Sequence, residues 1–129
     1  MFKKNKAIQT IDLSLQEITT IIGENFQIDG ELNGTEVIRI DGKVKGNVKV
    51  TKGVILGENS VVTGDIETNS AIIYGTVNGS IKTLQLEIKK TGKVNGDIKT
   101  ETLEVELGAQ YNGKLEMKQQ ITIAAEKLA

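Results

Sequence analysis

The stretch Gly108-Ala109-Gln110-Tyr111-Asn112-Gly113-Lys114 carries most of a phosphate-binding loop, with two glycines framing four residues and a lysine directly after the second. In that motif the next side chain must be a Ser or Thr hydroxyl that holds magnesium, and here it is Leu115. A phosphate-binding loop also joins a strand to a helix, whereas this stretch sits between two strand-like apolar runs. Four aspartates, Asp29, Asp41, Asp65 and Asp97, suggest carboxylate pairs or calcium ligation. Each stands next to a glycine, however, and is read as an outward-pointing residue of a solvated turn. With no Cys and no His, the chain lacks thiolate nucleophiles, disulfides and the commonest general base. The sequons Asn33-Gly34-Thr35 and Asn78-Gly79-Ser80 matter only if the chain is exported. The expectation is a protein that is not an enzyme and binds no cofactor or metal.

The composition narrows the setting. A chain of 129 residues suits one domain. Its 16 basic and 17 acidic side chains leave a net charge of −1, which gives no footprint for nucleic acid. The start Met1-Phe2-Lys3-Lys4-Asn5-Lys6 is not followed by the apolar run of a secretory signal, and no stretch approaches the ~20 apolar residues of a spanning helix. A cytoplasmic protein is expected, and any membrane contact would be peripheral. There is no Pro or Trp, and only four aromatics, Phe2, Phe26, Tyr74 and Tyr111. The apolar material is Ile, Val and Leu, two of which are β-branched and favour strands.

The elements that carry these residues repeat. The unit apolar-x-Gly-x-apolar occurs six times, at Ile28 to Leu32, Val44 to Val48, Val62 to Ile66, Val77 to Ile81, Val94 to Ile98 and Tyr111 to Leu115. The central glycines, Gly30, Gly46, Gly64, Gly79, Gly96 and Gly113, are 16, 18, 15, 17 and 17 residues apart. A second apolar patch precedes most copies, as at Ile38-Arg39-Ile40, Val54-Ile55-Leu56, Ile72-Ile73-Tyr74, Leu86-Glu87-Ile88 and Leu103-Glu104-Val105-Glu106-Leu107. Gly23 and Gly57 open closely related frames, GENFQIDGEL and GENSVVTGDI.

Between residues 23 and 115 no apolar stripe of helical period is sustained, so helical repeats are excluded. Asn-Gly at Asn33, Asn78, Asn95 and Asn112 is the usual mark of a tight hairpin. The same apolar pair brackets the glycine at one interval, however, which favours parallel coils with glycine at a corner. The spacing predicts an all-β, single-stranded parallel β-helix of about six turns. Val44, Val62, Val77 and Val94 form one interior ladder, and Val48, Ile66, Ile81 and Ile98 another. At ~4.8 Å per coil the rod is roughly 25–30 Å long. Acyltransferases of the hexapeptide-repeat type are also β-helices, but they typically use a His base and keep a strict six-residue period, and neither is present.

A stacked coil has two open strand edges. Phe26 and Tyr111 lie in the terminal coils where inner coils carry smaller residues, and either plug the core ends or join one rod to the next. The alternative to joining is a soluble adaptor that binds proteins on its flat faces without polymerising.

Ile22-Gly23-Glu24, the run Ile40-Asp41-Gly42-Lys43-Val44-Lys45-Gly46-Asn47-Val48, and Gly108-Ala109-Gln110-Tyr111-Asn112-Gly113 together resemble the bactofilins, a family of bacterial cytoskeletal proteins. The resemblance covers roughly Ile21 to Leu115. It implies a right-handed, roughly triangular β-helix and nucleotide-independent assembly into non-polar filaments. It also implies a scaffold on the inner face of the cytoplasmic membrane serving cell-shape or cell-wall machinery. The polymerisation contact would then involve Phe26, Ile28, Tyr111 and Leu115, with Tyr111 standing where the family usually has Phe.

The chain is expected to divide into a flexible tail over 1–20, the β-helix over 21–116 and a C-terminal tail over 117–129. Ile11, Leu13 and Leu15 alternate with polar residues as a strand over the first coil would. Ile121-Thr122-Ile123 reads as one more strand and 124–129 as a frayed helix. The leading tail pairs Phe2 with Lys3, Lys4 and Lys6, which suits an ordinary solvated terminus or a minimal membrane anchor. In the anchor, each lysine contributes about 1 kcal/mol near anionic lipid. One such tail is marginal alone, but a filament displaying many copies gains avidity. Deleting residues 2–6 should abolish co-sedimentation with anionic liposomes while leaving filaments in electron micrographs; unchanged sedimentation would refute the anchor.

Overall fold

The structure, a computed structural model, describes residues 17–117. The readings of Ile11, Leu13, Leu15, the Ile121 to Ile123 run and the helix over 124–129 lie outside the described residues. Among the described residues, sixteen strands, numbered in chain order, pair in parallel and wind into three walls. The first wall stacks β1 (Ile18–Ile22), β4 (Val37–Ile40), the second halves of β6 (Val48–Leu56) and β8 (Ile66–Ile73), β11 (Gln85–Ile88) and β14 (Thr102–Val105). The second stacks β2 (Gln27–Asp29), β5 (Lys43–Lys45), β7 (Val61–Thr63), β9 (Thr76–Asn78), β12 (Lys93–Asn95) and β15 (Gln110–Asn112). The third stacks β3 (Leu32–Gly34), the first halves of β6 and β8, β10 (Ile81–Lys82), β13 (Ile98–Thr100) and β16 (Leu115–Met117). Every wall holds six rungs, so the β-helix of about six turns is confirmed. The strands run from Ile18 to Met117, slightly outside 21–116.

Both expected ladders form. Val44, Val62, Val77 and Val94 stand in register on the second wall, and Val48, Ile66, Ile81 and Ile98 on the third, all buried. The first wall adds Ile38, Val54, Ala71 and Leu86 beside Ile40, Leu56, Ile73 and Ile88. Full burial of one such side chain stabilises by about 1.5–3 kcal/mol, so the ladders hold the rod together. Buried hydroxyls are satisfied locally. Thr83 Oγ1 donates to Thr100 Oγ1 at 2.9 Å, Thr100 Oγ1 to the Thr102 carbonyl at 2.9 Å, and Ser60 Oγ to the Gly57 carbonyl at 2.7 Å.

The uneven repeat length has a local cause. From first wall to second the chain turns in two residues at Asp41-Gly42 and Tyr74-Gly75, but in four at 23–26, 57–60, 89–92 and 106–109. From second wall to third it turns on the repeated glycine. Gly46, Gly64, Gly79, Gly96 and Gly113 hold φ of 149°, 151°, 156°, 150° and 151°, a region L side chains avoid. A Cβ on Gly79 would also lie 2.1 Å from the Gly64 carbonyl oxygen in the coil below. At Gly30, in the first coil, φ is 137° but nothing lies within 4 Å of the same position. Gly79→Ala should therefore cost more than about 3 kcal/mol and Gly30→Ala only about 1–2 kcal/mol, compared as urea-unfolding midpoints.

Candidate functional site

The side walls repeat, and the ends do not. At the N-terminal end, Ile28 is the foot of the valine ladder through its pairing with Val44, and Leu32 is the foot of the adjoining one through Val48. Both are only partly buried against the core. Phe26 occupies the corner between first and second walls. Its N–H donates to the Gly23 carbonyl at 3.1 Å, as Ser60 donates to Gly57 two coils further on. Ser60 is 1% exposed, sandwiched between coils, while Phe26, with no coil beneath it among the described residues, is 66% exposed. Phe26 therefore does not plug the core; Ile28 and Leu32 close that end, and the ring stands free at its rim.

At the C-terminal end, Tyr111 sits on Val94 at the head of one ladder and Leu115 on Ile98 at the head of the other. Tyr111 packs against the core, and its hydroxyl donates to the Lys114 carbonyl, so the extra polar group of tyrosine is satisfied within the rod. Burial raises the Tyr111 pKa, and the Asp97 carboxylate raises it further. In the inner coils Gly96 donates its N–H to the Asn112 carbonyl at 2.8 Å and Ile98 to Lys114 at 2.9 Å. The corresponding N–H groups of Gly113 and Leu115 face a position that no further coil fills among the described residues. The structure thus brings Phe26 and Ile28 to one end and Tyr111 and Leu115 to the other. Phe2, Lys3, Lys4 and Lys6 lie outside the described residues.

Sequence reading missed Leu32, Ile21 and Leu107. Leu107 is 95% exposed at the last coil, because β14 stops at Val105 and the turn that follows swings the residue out of the alternation. Position in the final repeat was the only signal for it.

Two of the carboxylates beside the glycines serve the stack. Asp65 Oδ1 accepts the Ser80 N–H at 3.0 Å and Asp97 Oδ1 accepts the Lys114 N–H at 3.2 Å, each in the next coil. The Asn95 amide donates to Asn78 at 3.0 Å and that of Asn112 to Asn95 at 3.2 Å. Asp41 pairs with Arg39 at 3.0 Å, a bond that raises the arginine pKa. Among the described residues no three His, Cys, Asp or Glu side chains cluster as metal ligands would, and no helix is long and apolar enough to cross a membrane. The loop-like stretch from Gly108 forms turn, strand, corner and strand, without a helix.

A family model described as "Bactofilin: Polymer-forming cytoskeletal" matches residues 20–116. Among curated proteins, the chain is 40% identical over 62 residues to bactofilin BacO of Myxococcus xanthus, a match covering 48% of this chain and 49% of BacO. It is 29% identical over 75 residues to bactofilin BacP of the same organism, covering 57% of this chain and 31% of BacP. The matches thus span half or less of these relatives' length. Among solved structures, a cryo-EM reconstruction of Thermus thermophilus bactofilin double helical filaments matches with a TM-score of 0.73 at 28% identity, over 81% of this chain and all of that one. A crystal structure of a mutant Thermus thermophilus bactofilin matches with a TM-score of 0.54 at 23% identity, over 81% and 97% of the two chains, which speaks to the fold alone.

The Tyr111 hydroxyl gives a pH-dependent test. Because its folded pKa is raised, the stability it contributes is present below the ordinary tyrosine pKa of 10.0 and is lost as pH rises through the folded value. Tyr111→Phe should lose less stability than the parent chain between neutral pH and strongly alkaline pH, measured by urea unfolding, and at neutral pH should cost about 0.5–1.5 kcal/mol for the missing hydrogen bond.

Proposed function

The chain belongs to the bactofilin family of polymer-forming cytoskeletal proteins, and from that premise we propose that it builds filaments by stacking rod on rod. Phe26 and Ile28 make the contact at one end, Tyr111 and Leu115 at the other. The contacts alternate head-to-head and tail-to-tail, which gives a filament without polarity. Each end then meets its own copy across a two-fold axis, so each patch must be complementary to itself. The single observation that carries this reading is the pair of ends that no further coil covers among the described residues, where interior ladders finish in apolar side chains. Leu115 at the magnesium-ligating position and the missing helix support assembly without nucleotide.

A leading segment ahead of the rod carries the membrane motif Phe2, Lys3, Lys4 and Lys6, and a short segment trails it. Attached to the inner face of the cytoplasmic membrane, the filament acts as a scaffold for proteins of cell shape or cell-wall synthesis. Its partners are its own copies, anionic lipid and those proteins, with no nucleic acid and no cofactor. Support for the lipid contact is the basic, aromatic start together with the many copies that a filament displays.

Purified protein should form filaments in electron micrographs without any nucleotide; monodisperse rods at high concentration would refute assembly and favour a non-polymerising adaptor. Tyr111→Arg places a charge in the proposed contact, where desolvation is costly. It should abolish filaments while leaving the β-rich circular dichroism spectrum unchanged; filaments that persist would remove Tyr111 from the contact.

A further inference from the structure

One part of the outer surface does not look like an outer surface. Along β4 and the second halves of β6 and β8, inward side chains alternate with outward ones, yet nearly the whole run is buried on both sides. The inward set is the core. The outward set holds Val37, 1% exposed, and Ile55, 7% exposed, which form a cluster of their own with Ile72, apart from the interior. Gly53 and Ser70, in register with Val37, are buried as well. A strand wall facing water on one side should alternate apolar with polar residues; burial on both sides marks a wall that is covered.

The patch is short. In the next coils its columns turn polar, from Ser70 to Gln85 and Thr102, and from Ile72 to Glu87 and Glu104. A second rod lying alongside would need an apolar stripe along the full length, whereas this patch spans only coils two to four. We infer that it is the seat of this chain's own leading segment, with Ile11, Leu13 and Leu15 laid against Val37, Ile55 and Ile72. The segment enters at the right place, because β1 begins at Ile18 beside Val37, three residues after Leu15. Its period-two spacing puts the three apolar side chains on one face of an extended strand. From Ile11 to Leu15 such a strand covers about 13 Å, against about 10 Å for two coil spacings. The other apolar run, Ile121 to Ile123, follows β16 at the far end of the third wall. Strapped down in this way, the leading segment delivers residues 2–6 to the flank of the rod and keeps both ends clear. This inference is independent of the assembly reading.

The chain has no cysteine, so engineered pairs report cleanly. Ile11→Cys, Leu13→Cys and Leu15→Cys would each be combined in the full chain with Ile72→Cys, and separately with Ile55→Cys, then oxidised and mapped by mass spectrometry. Folding of each variant is checked by circular dichroism. Bridging demands Cα atoms within about 7 Å, so at least one pair should close nearly completely. Mixing light and nitrogen-15-labelled chains before oxidation separates contacts within a chain from those between chains, whether or not filaments form. Bridges within light or within heavy chains support the strap. No bridge in any pair, isotopically mixed bridges, or preferential bridging from Ile121→Cys instead would overturn it.

Discussion

Each coil rises by one strand spacing, and at the corner after the second wall that rise leaves no room for a Cβ. At Gly46, Gly64, Gly79, Gly96 and Gly113 the missing side chain would fall about 2 Å from the carbonyl oxygen of the glycine one coil below. The rest of the rod hangs on this close approach. It aligns the corner N–H groups with carbonyls of the next coil, and it fixes the register in which the Val44 and Val48 ladders stack. A shift by one residue would turn every ladder outward. The positive φ at these positions is the conformational form of the same demand.

Polar side chains near the corners obey the same spacing. Asp65 and Asp97 accept backbone N–H groups from the coil above, and Asn78, Asn95 and Asn112 bond to one another up the second wall. Two of the four aspartates that suggested ligand carboxylates are thus engaged in spacing the coils, while Asp29 and Asp41 bond to Gln27 and Arg39 beside them. The first-wall corners are under looser control, since two-residue and four-residue turns both return the chain to the same rung. That freedom allows Phe26 in the first coil, where the positions above are Gly42, Ser60 and Gly75.

Much of this was legible in the sequence, because one glycine and two flanking apolar residues recur at nearly constant spacing and a parallel stack is what such recurrence specifies. Three walls were harder to see than two strands. The second apolar patches are continuous runs, and Val54-Ile55-Leu56 and Ile72-Ile73-Tyr74 do not reveal which members face inward. Nothing in those runs therefore sets Ile55 and Ile72, which belong to a separate outer cluster, apart from Val54 and Ile73, which line the core. Leu107 was grouped with the strand before it, since alternation continues through Glu106 although the strand does not. Phe26, Ile28, Tyr111 and Leu115 could be placed at the two ends of the rod from their positions in the first and last repeats. Their neighbour Leu32 was passed over, because an aliphatic residue in a ladder of aliphatic residues gives no contrast.

The hydrogen bonds between coils run along the long axis of the rod on all three walls. A pull along that axis loads the three walls side by side, so a junction between coils must give way across its whole section and cannot peel open one bond at a time. A bending force compresses the walls on one side against their own backbone and stretches those opposite. The molecule is therefore built as a strut, stiff against both tension and flexure for the little protein it contains. Any larger structure made from it should yield at its joints before its segments.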